Sequence, residues 1–176
     1  MQKTYFKEEQ YFSNPWFWMF LIVVFTISLA PIVVPIYSEL VLNKPYGENP
    51  DSIATLFIIL TVFTIVYITV VLLFRKMRLI VEIRNDGLYY RYPPFIVKER
   101  HFLKEEIDNY EIRKYKPIRE YSGWGIQYSW GKSGRACSVK GNIGLQLYLK
   151  DGKKVLFGTQ RGAALFRAMN KMMKGE

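Results

Sequence analysis

SIATLFIILTVFTIVYITVVLLFRKMR, residues 52–78, is the stretch that decides the architecture. From Ser52 to Phe74 it contains no Asp, Glu, Lys, Arg or His, and then Arg75, Lys76 and Arg78 follow at once. An α-helix of about 20 apolar residues crosses a hydrocarbon core of about 30 Å. A second run of this kind comes earlier, since nothing from Gln10 to Ser38 is charged. Two spans are therefore expected, at about residues 16–42 and 52–74. The connection Asn43–Asp51, with Pro45, Gly47 and Pro50, is long enough only for a turn, so the spans form an antiparallel hairpin.

The two halves differ in charge. Residues 75–176 hold 22 Lys+Arg against 10 Asp+Glu, whereas residues 1–74 hold 3 against 5. Lys and Arg beside a span are retained in the cytoplasm. The trio after the second span, set against Lys44, Glu48 and Asp51 in the turn, predicts an inner-membrane protein with both termini cytoplasmic. Tyr11, Phe12, Trp16, Phe17 and Trp18 are expected to form an inner aromatic belt, with Tyr37 and Tyr46 at the outer interface. The apolar run is too long for the core of a signal peptide, and Glu8 and Glu9 spoil the cationic start of one.

Pro31 and Pro35 interrupt the first span and predict a kink. Thr55, Thr61, Thr64 and Thr69 are almost the whole polar content of the second span. They are expected to bond to their own helix or its partner, because no ionisable side chain is present to line a solute path.

After Arg78 the hydrophobic period falls to two, and the domain from 79 to 176 reads as about seven strands and a helix. Leu79, Val81 and Ile83 alternate with Ile80, Glu82 and Arg84. Asn85-Asp86-Gly87 offers the positive φ angles of a hairpin turn, and Leu88 to Tyr92 returns. Strands follow at Phe95–Phe102, Tyr110–Tyr115, Gly125–Trp130, Ala136–Val139 and Leu145–Lys150. Asp151-Gly152 turns the chain into Lys154–Gly158. Thr159 is placed to cap a helix whose stripe is Ala164, Leu165, Ala168, Met169 and Met172. The fold class expected is membrane-anchored α+β, residues 1–78 forming the helical anchor and 79–176 an antiparallel β-barrel or bent sheet with a C-terminal helix.

Four segments carry a family likeness: Ile83-Arg84-Asn85-Asp86-Gly87-Leu88, Lys104-Glu105-Glu106-Ile107, Tyr121-Ser122-Gly123-Trp124-Gly125-Ile126, and Gly158-Thr159 before the helix. With two spans ahead of them, the chain resembles the small bacterial membrane proteins that carry a pleckstrin-homology-like domain. The resemblance implies a fold and a membrane anchor, and it transfers no catalytic residue.

The chemistry visible in the chain is sparse. Cys137 is the single cysteine and His101 the single histidine, so neither a disulfide framework, a metal cluster nor a Ser-His-Asp set is expected, and no cofactor. Gly131-Lys132-Ser133 resembles the end of a phosphate loop, but Gly125 stands one position too far away. Glu105 and Glu106 are adjacent and share no site. Trp124 and Trp130, with Tyr121 and Tyr128, fill a core or else meet headgroups.

The cations remain. Arg75, Lys76 and Arg78, with Lys114, Lys116 and Arg119, are the candidates for anionic lipid headgroups; Arg113, Lys132, Arg135 and Lys140 extend that face. Nucleic acid is not expected, for want of a recognition helix. The function expected is a non-enzymatic binding or scaffolding module at the inner leaflet, with lipid and a membrane protein as partners. The alternative is an accessory or oligomer-forming subunit of a transporter or envelope complex.

Overall fold

A computed structural model of the chain describes residues 3–13, 15–44, 53–129 and 134–175. It divides into two compact units, residues 14–74 and residues 1–13 together with 75–176.

The first unit is a pair of helices, α1 (Pro15–Leu40) and α2 (Ile53–Lys76), both long and apolar enough to cross a membrane. They run antiparallel and meet through aromatic rings: Phe17 on Phe74 (4.6 Å), and Phe25 on Tyr67 (3.9 Å) and Phe63 (5.6 Å). α1 continues through Pro31 and Pro35 without a break in the helix. The threonine hydroxyls turn back on their own helices, Thr26 to Ile22 O, Thr61 to Phe57 O, Thr64 to Leu60 O and Thr69 to Ile65 O, each within 2.9 Å. That removes their donors from the apolar surface. The expected loop residue Tyr46 lies outside the described residues.

The second unit holds nine strands among the described residues, in two sheets rather than a closed barrel. One is an antiparallel meander of β1 (Thr4–Tyr11), β2 (Arg78–Arg84), β3 (Gly87–Tyr92) and β4 (Ile96–Leu103). The other comprises β5 (Ile107–Lys114), β6 (Gly125–Tyr128), β7 (Arg135–Ser138), β8 (Ile143–Leu149) and β9 (Lys154–Gly158), in the order β5-β8-β9-β7-β6. A short helix, α3 (Pro117–Tyr121), joins β5 to β6, and α4 (Gly162–Lys174) ends the unit. The β7–β9 pair is parallel, which departs from the all-antiparallel expectation. The β8–β9 hairpin lies between β7 and β5 in the sheet, so β7 meets the returning strand of that hairpin head to head.

The strand absent from the sequence expectation is β1. Residues 4–11 precede the helices and fall in the stretch expected to form the anchor, yet Phe6 to Tyr11 pair with Ile83 to Arg78. The ladder ends with Tyr11 opposite Arg78, and the Phe12 N–H reaches Met77 O (3.3 Å). In chain order the helical pair is thus inserted between two strands that are hydrogen-bonded neighbours. Tyr11 belongs to β1, where its hydroxyl donates to Glu9 (2.8 Å).

The two sheets pack face to face. Phe157 of β9 meets Tyr90 of β3 (4.9 Å) and Phe102 of β4 (6.3 Å), and the Tyr92 hydroxyl donates to Ser138 O (3.2 Å). Leu79, Ile83, Leu88, Leu145, Leu147 and Leu156 are fully buried, and α4 lays Leu165, Ala168, Met169 and Met172 over β1 and β2 of one sheet and β8 and β5 of the other. Each buried aliphatic chain of this size contributes about 1.5–3 kcal/mol.

Two turn expectations change. Asn85, Asp86 and Gly87 all avoid positive φ. Gly87 is required for another reason: a Cβ there would collide with the Phe102 carbonyl oxygen on the neighbouring strand. Thr159 does not cap α4 from the N-cap position, which Arg161 holds; its hydroxyl instead accepts the Arg161 N–H (3.0 Å) from two residues upstream.

Cys137 lies at 0% exposure between the sheets, and burial pushes its thiol pKa up to about 11. Because the thiolate is the reactive form, intact protein near pH 8 is expected to resist iodoacetamide and to react fully once unfolded by guanidinium. Mass spectrometry reads the difference, and fast alkylation of native protein would contradict the packing.

Candidate functional site

The turn between β7 and β8, Val139–Asn142, is where separate parts of the β unit converge. Lys140 Nζ donates to Ser13 Oγ (3.3 Å), immediately ahead of α1 in the chain, and Gln160 Nε2 donates to Lys140 O (3.1 Å). Trp124 Nε1 donates to Gly141 O (2.9 Å), and the Tyr115 N–H to Asn142 O (2.9 Å). Gly141 sits at φ +79°, a conformation that favours glycine. A Cβ there would also come within 2.9 Å of Gln160 Nε2.

This junction gathers several of the candidates. Lys114 and Lys116 flank Tyr115 and are exposed; Lys116 precedes α3, which carries exposed Arg119 and an Ile118 that is 73% exposed. The one acid of α3 is used inward. Glu120 accepts the Lys116 N–H (2.7 Å) and the Arg113 guanidinium (2.8 Å), while Arg113 also donates to the Tyr121 hydroxyl (3.1 Å) and Gln146 (3.2 Å). Burial works against ionisation of Glu120, but the Lys116 N–H and Arg113 outweigh it and lower its pKa. Arg113 is therefore internally neutralised, and Lys114, Lys116, Arg119 and Lys140 are left without a carboxylate partner among the described residues.

Trp124 is half-buried, its indole nitrogen bonded and its ring neither lost in the core nor free. Trp130 and Lys132 lie outside the described residues. Of the trio that follows the second span, Arg75 and Lys76 end α2, while Arg78 opens β2 and is ion-paired with Glu9 at 2.6 Å. The Tyr11 hydroxyl, and then the Arg78 guanidinium, hold the Glu9 carboxyl below its usual range. Arg78 is thus committed to Glu9, and Arg75 and Lys76 carry the free charge of that segment. Arg135 lines a different groove with Phe102 and Tyr128, and His101 stands exposed on β4 against the Tyr89 ring (5.4 Å).

A polar groove of about 490 Å³ runs from Ser13 and Lys140 past Gln160 and along β1. Within it, Gln10 donates to Gly158 O (2.8 Å), and Glu8 accepts from the Thr159 hydroxyl (2.6 Å) and the Gln160 N–H (2.9 Å). Lys140 apart, the functional candidates in the sequence did not include Glu8, Gln10 or Gln160, because their roles depend on β1 lying beside the β9–α4 corner. Among the described residues no group of three His, Cys, Asp or Glu side chains could hold a metal.

A family model described as a family of unknown function, DUF6141, matches residues 3–174. The chain belongs to that family. The match takes in β1, both apolar helices, both sheets and α4, so the helical insertion between β1 and β2 is part of the DUF6141 unit. No curated protein and no solved structure matches the chain.

Proposed function

We propose that this DUF6141 protein is a non-catalytic, membrane-anchored module whose β unit, pleckstrin-homology-like in kind, rests its β7–β8 turn and α3 on the anionic headgroups of the cytoplasmic leaflet. The reading is carried by one observation: Lys140 is bonded to Ser13, the last residue of the β unit before α1. If α1 begins a span, chain continuity brings Lys140 to headgroup level, together with the Trp124 and Tyr115 segments tied to the same turn. Pairing of β1 with β2 supports an even number of crossings, since strands on opposite sides of a bilayer cannot share a ladder. The charge bias of Arg75 and Lys76 supports the cytoplasmic side. Two packed sheets closed by a C-terminal helix support the pleckstrin-homology-like assignment.

A cation at an anionic surface contributes about 1 kcal/mol, and an indole suits the half-wet interface. Full-length protein extracted from mixed phosphatidylcholine–phosphatidylglycerol membranes is expected to retain phosphatidylglycerol preferentially, read by native mass spectrometry. Replacing Lys114, Lys116, Arg119 and Lys140 together by Gln is expected to cut that preference by about tenfold or more. A preference unchanged by the four substitutions would remove the headgroup role.

A further inference from the structure

On the flank of the β unit, β1 and α4 enclose a groove of about 410 Å³ whose charged lining is entirely cationic: Lys7 from β1, Arg161 at the N-cap of α4, and Arg167 and Lys171 within that helix. Its floor is apolar. Phe6 is buried at 6% exposure, and Ala164 and Ala168 keep the helix face low, so that the long basic side chains stand along the rim with Tyr5 at one end. Lys7 is answered by Glu82 (2.9 Å). The other three have no carboxylate partner among the described residues, and Arg161 has only the Phe6 ring beneath its guanidinium (5.4 Å). Arg167 and Lys171 stand one helical turn apart, a like-charge spacing that is unfavourable by itself. Among the described residues the nearby acids make no direct ion pair with either: Glu8 accepts from the Thr159 hydroxyl and the Gln160 N–H, and Glu82 pairs with Lys7 and Arg84.

We infer that this groove is a binding site for a soluble phosphate-bearing anion of diphosphate class. Guanidinium forks match phosphate oxygens two at a time, and a diphosphate carries a number of negative charges comparable with the three cations that have no direct carboxylate partner. Tyr5 and Phe6 stand at the Ile83–Arg84 end of the β1–β2 ladder, five to six residues from Tyr11, which is about 16–20 Å along a strand at about 3.3 Å per residue. The groove adjoins the one at Lys140, with Lys7 and Arg161 lining both, whereas Arg167 and Lys171 line this one and not the other, so that pair reports on this site alone.

The test uses the full-length chain in phosphatidylcholine nanodiscs, titrated calorimetrically with inorganic pyrophosphate. Binding that weakens as salt rises is expected, together with a loss of about tenfold or more in the exposed-site double variant Arg167→Gln, Lys171→Gln. The variant Lys114→Gln, Lys116→Gln is expected to bind pyrophosphate as the parent does, which separates this site from the proposed headgroup contact. Retention of the parent's thermal transition by both variants establishes that each is folded. Absence of pyrophosphate binding, or equal binding by the Arg167/Lys171 variant, overturns the proposal. So does a result in which, in parallel nanodiscs doped with phosphatidic acid, that variant loses only the enrichment for phosphatidic acid, since the source would then be lipid.

Discussion

Excising residues 13–76 and joining Phe12 to Met77 through Asn-Gly is expected to convert the chain into a water-soluble, monomeric β protein. The ladder ends with Tyr11 opposite Arg78 and the Phe12 N–H on Met77 O, which is the geometry a two-residue type I′ turn closes. The same cut removes the two helices that carry most of the exposed large apolar side chains, the surface expected to make the full chain insoluble in water. A fragment of residues 79–176 is expected to behave in the opposite way. It lacks β1, so β2 becomes a bare edge, the Phe6 site empties and the start of α4 loses its carboxylate. Loss of the Phe6 burial alone costs about 2–3 kcal/mol, and the unmade hydrogen bonds add several more, against a total stability of about 5–15 kcal/mol for an ordinary domain. Detergent-free size exclusion and circular dichroism of the two proteins decide the matter. Equal folding of both would show that β1 is dispensable.

That contrast also explains which parts of the chain could be read in advance. The apolar helices were legible because hydrocarbon imposes a composition rule that needs no knowledge of neighbours. β2, β3, β8 and β9 were legible because their inward positions are aliphatic or aromatic. β1 has the same alternation, with Phe6, Glu8 and Gln10 inward and Lys7, Glu9 and Tyr11 outward, but two of its three inward residues are polar. The Glu8 carboxylate and the Gln10 Nε2 are met by Thr159, the Gln160 N–H and Gly158 O, partners some 150 residues away that no local pattern announces, while Gln10 Oε1 is buried without one among the described residues. The basic character of the candidate site was legible as a count. Which cations remain available was not, since it depends on Glu120 turning inward to Arg113, and on Glu9 meeting Arg78 across the ladder.

Glu8→Ala is the single substitution expected to do most damage outside the aliphatic core. The carboxylate is 7% exposed and accepts two hydrogen bonds, one from the Thr159 hydroxyl and one from the Gln160 N–H. Alanine would leave both donors without their acceptor at a site where water enters poorly, a cost of about 3 kcal/mol. The effect should be local before it is global, because Thr159 and Gln160 form the corner from which α4 departs, and the Thr159 hydroxyl in turn accepts the Arg161 N–H. Amides in the first turn of α4 are expected to exchange with deuterium roughly 100-fold faster or more in the full-length variant, while those of β8 and β9 change little. Glu8→Gln, which keeps one acceptor, should recover part of the protection, and Lys7→Ala, which removes a half-exposed ion pair with Glu82, should cost less than about 1 kcal/mol. Unchanged exchange in Glu8→Ala would mean that α4 is held by its apolar stripe alone. In that case β1 would be only an edge strand, with no part in fixing where the helix begins.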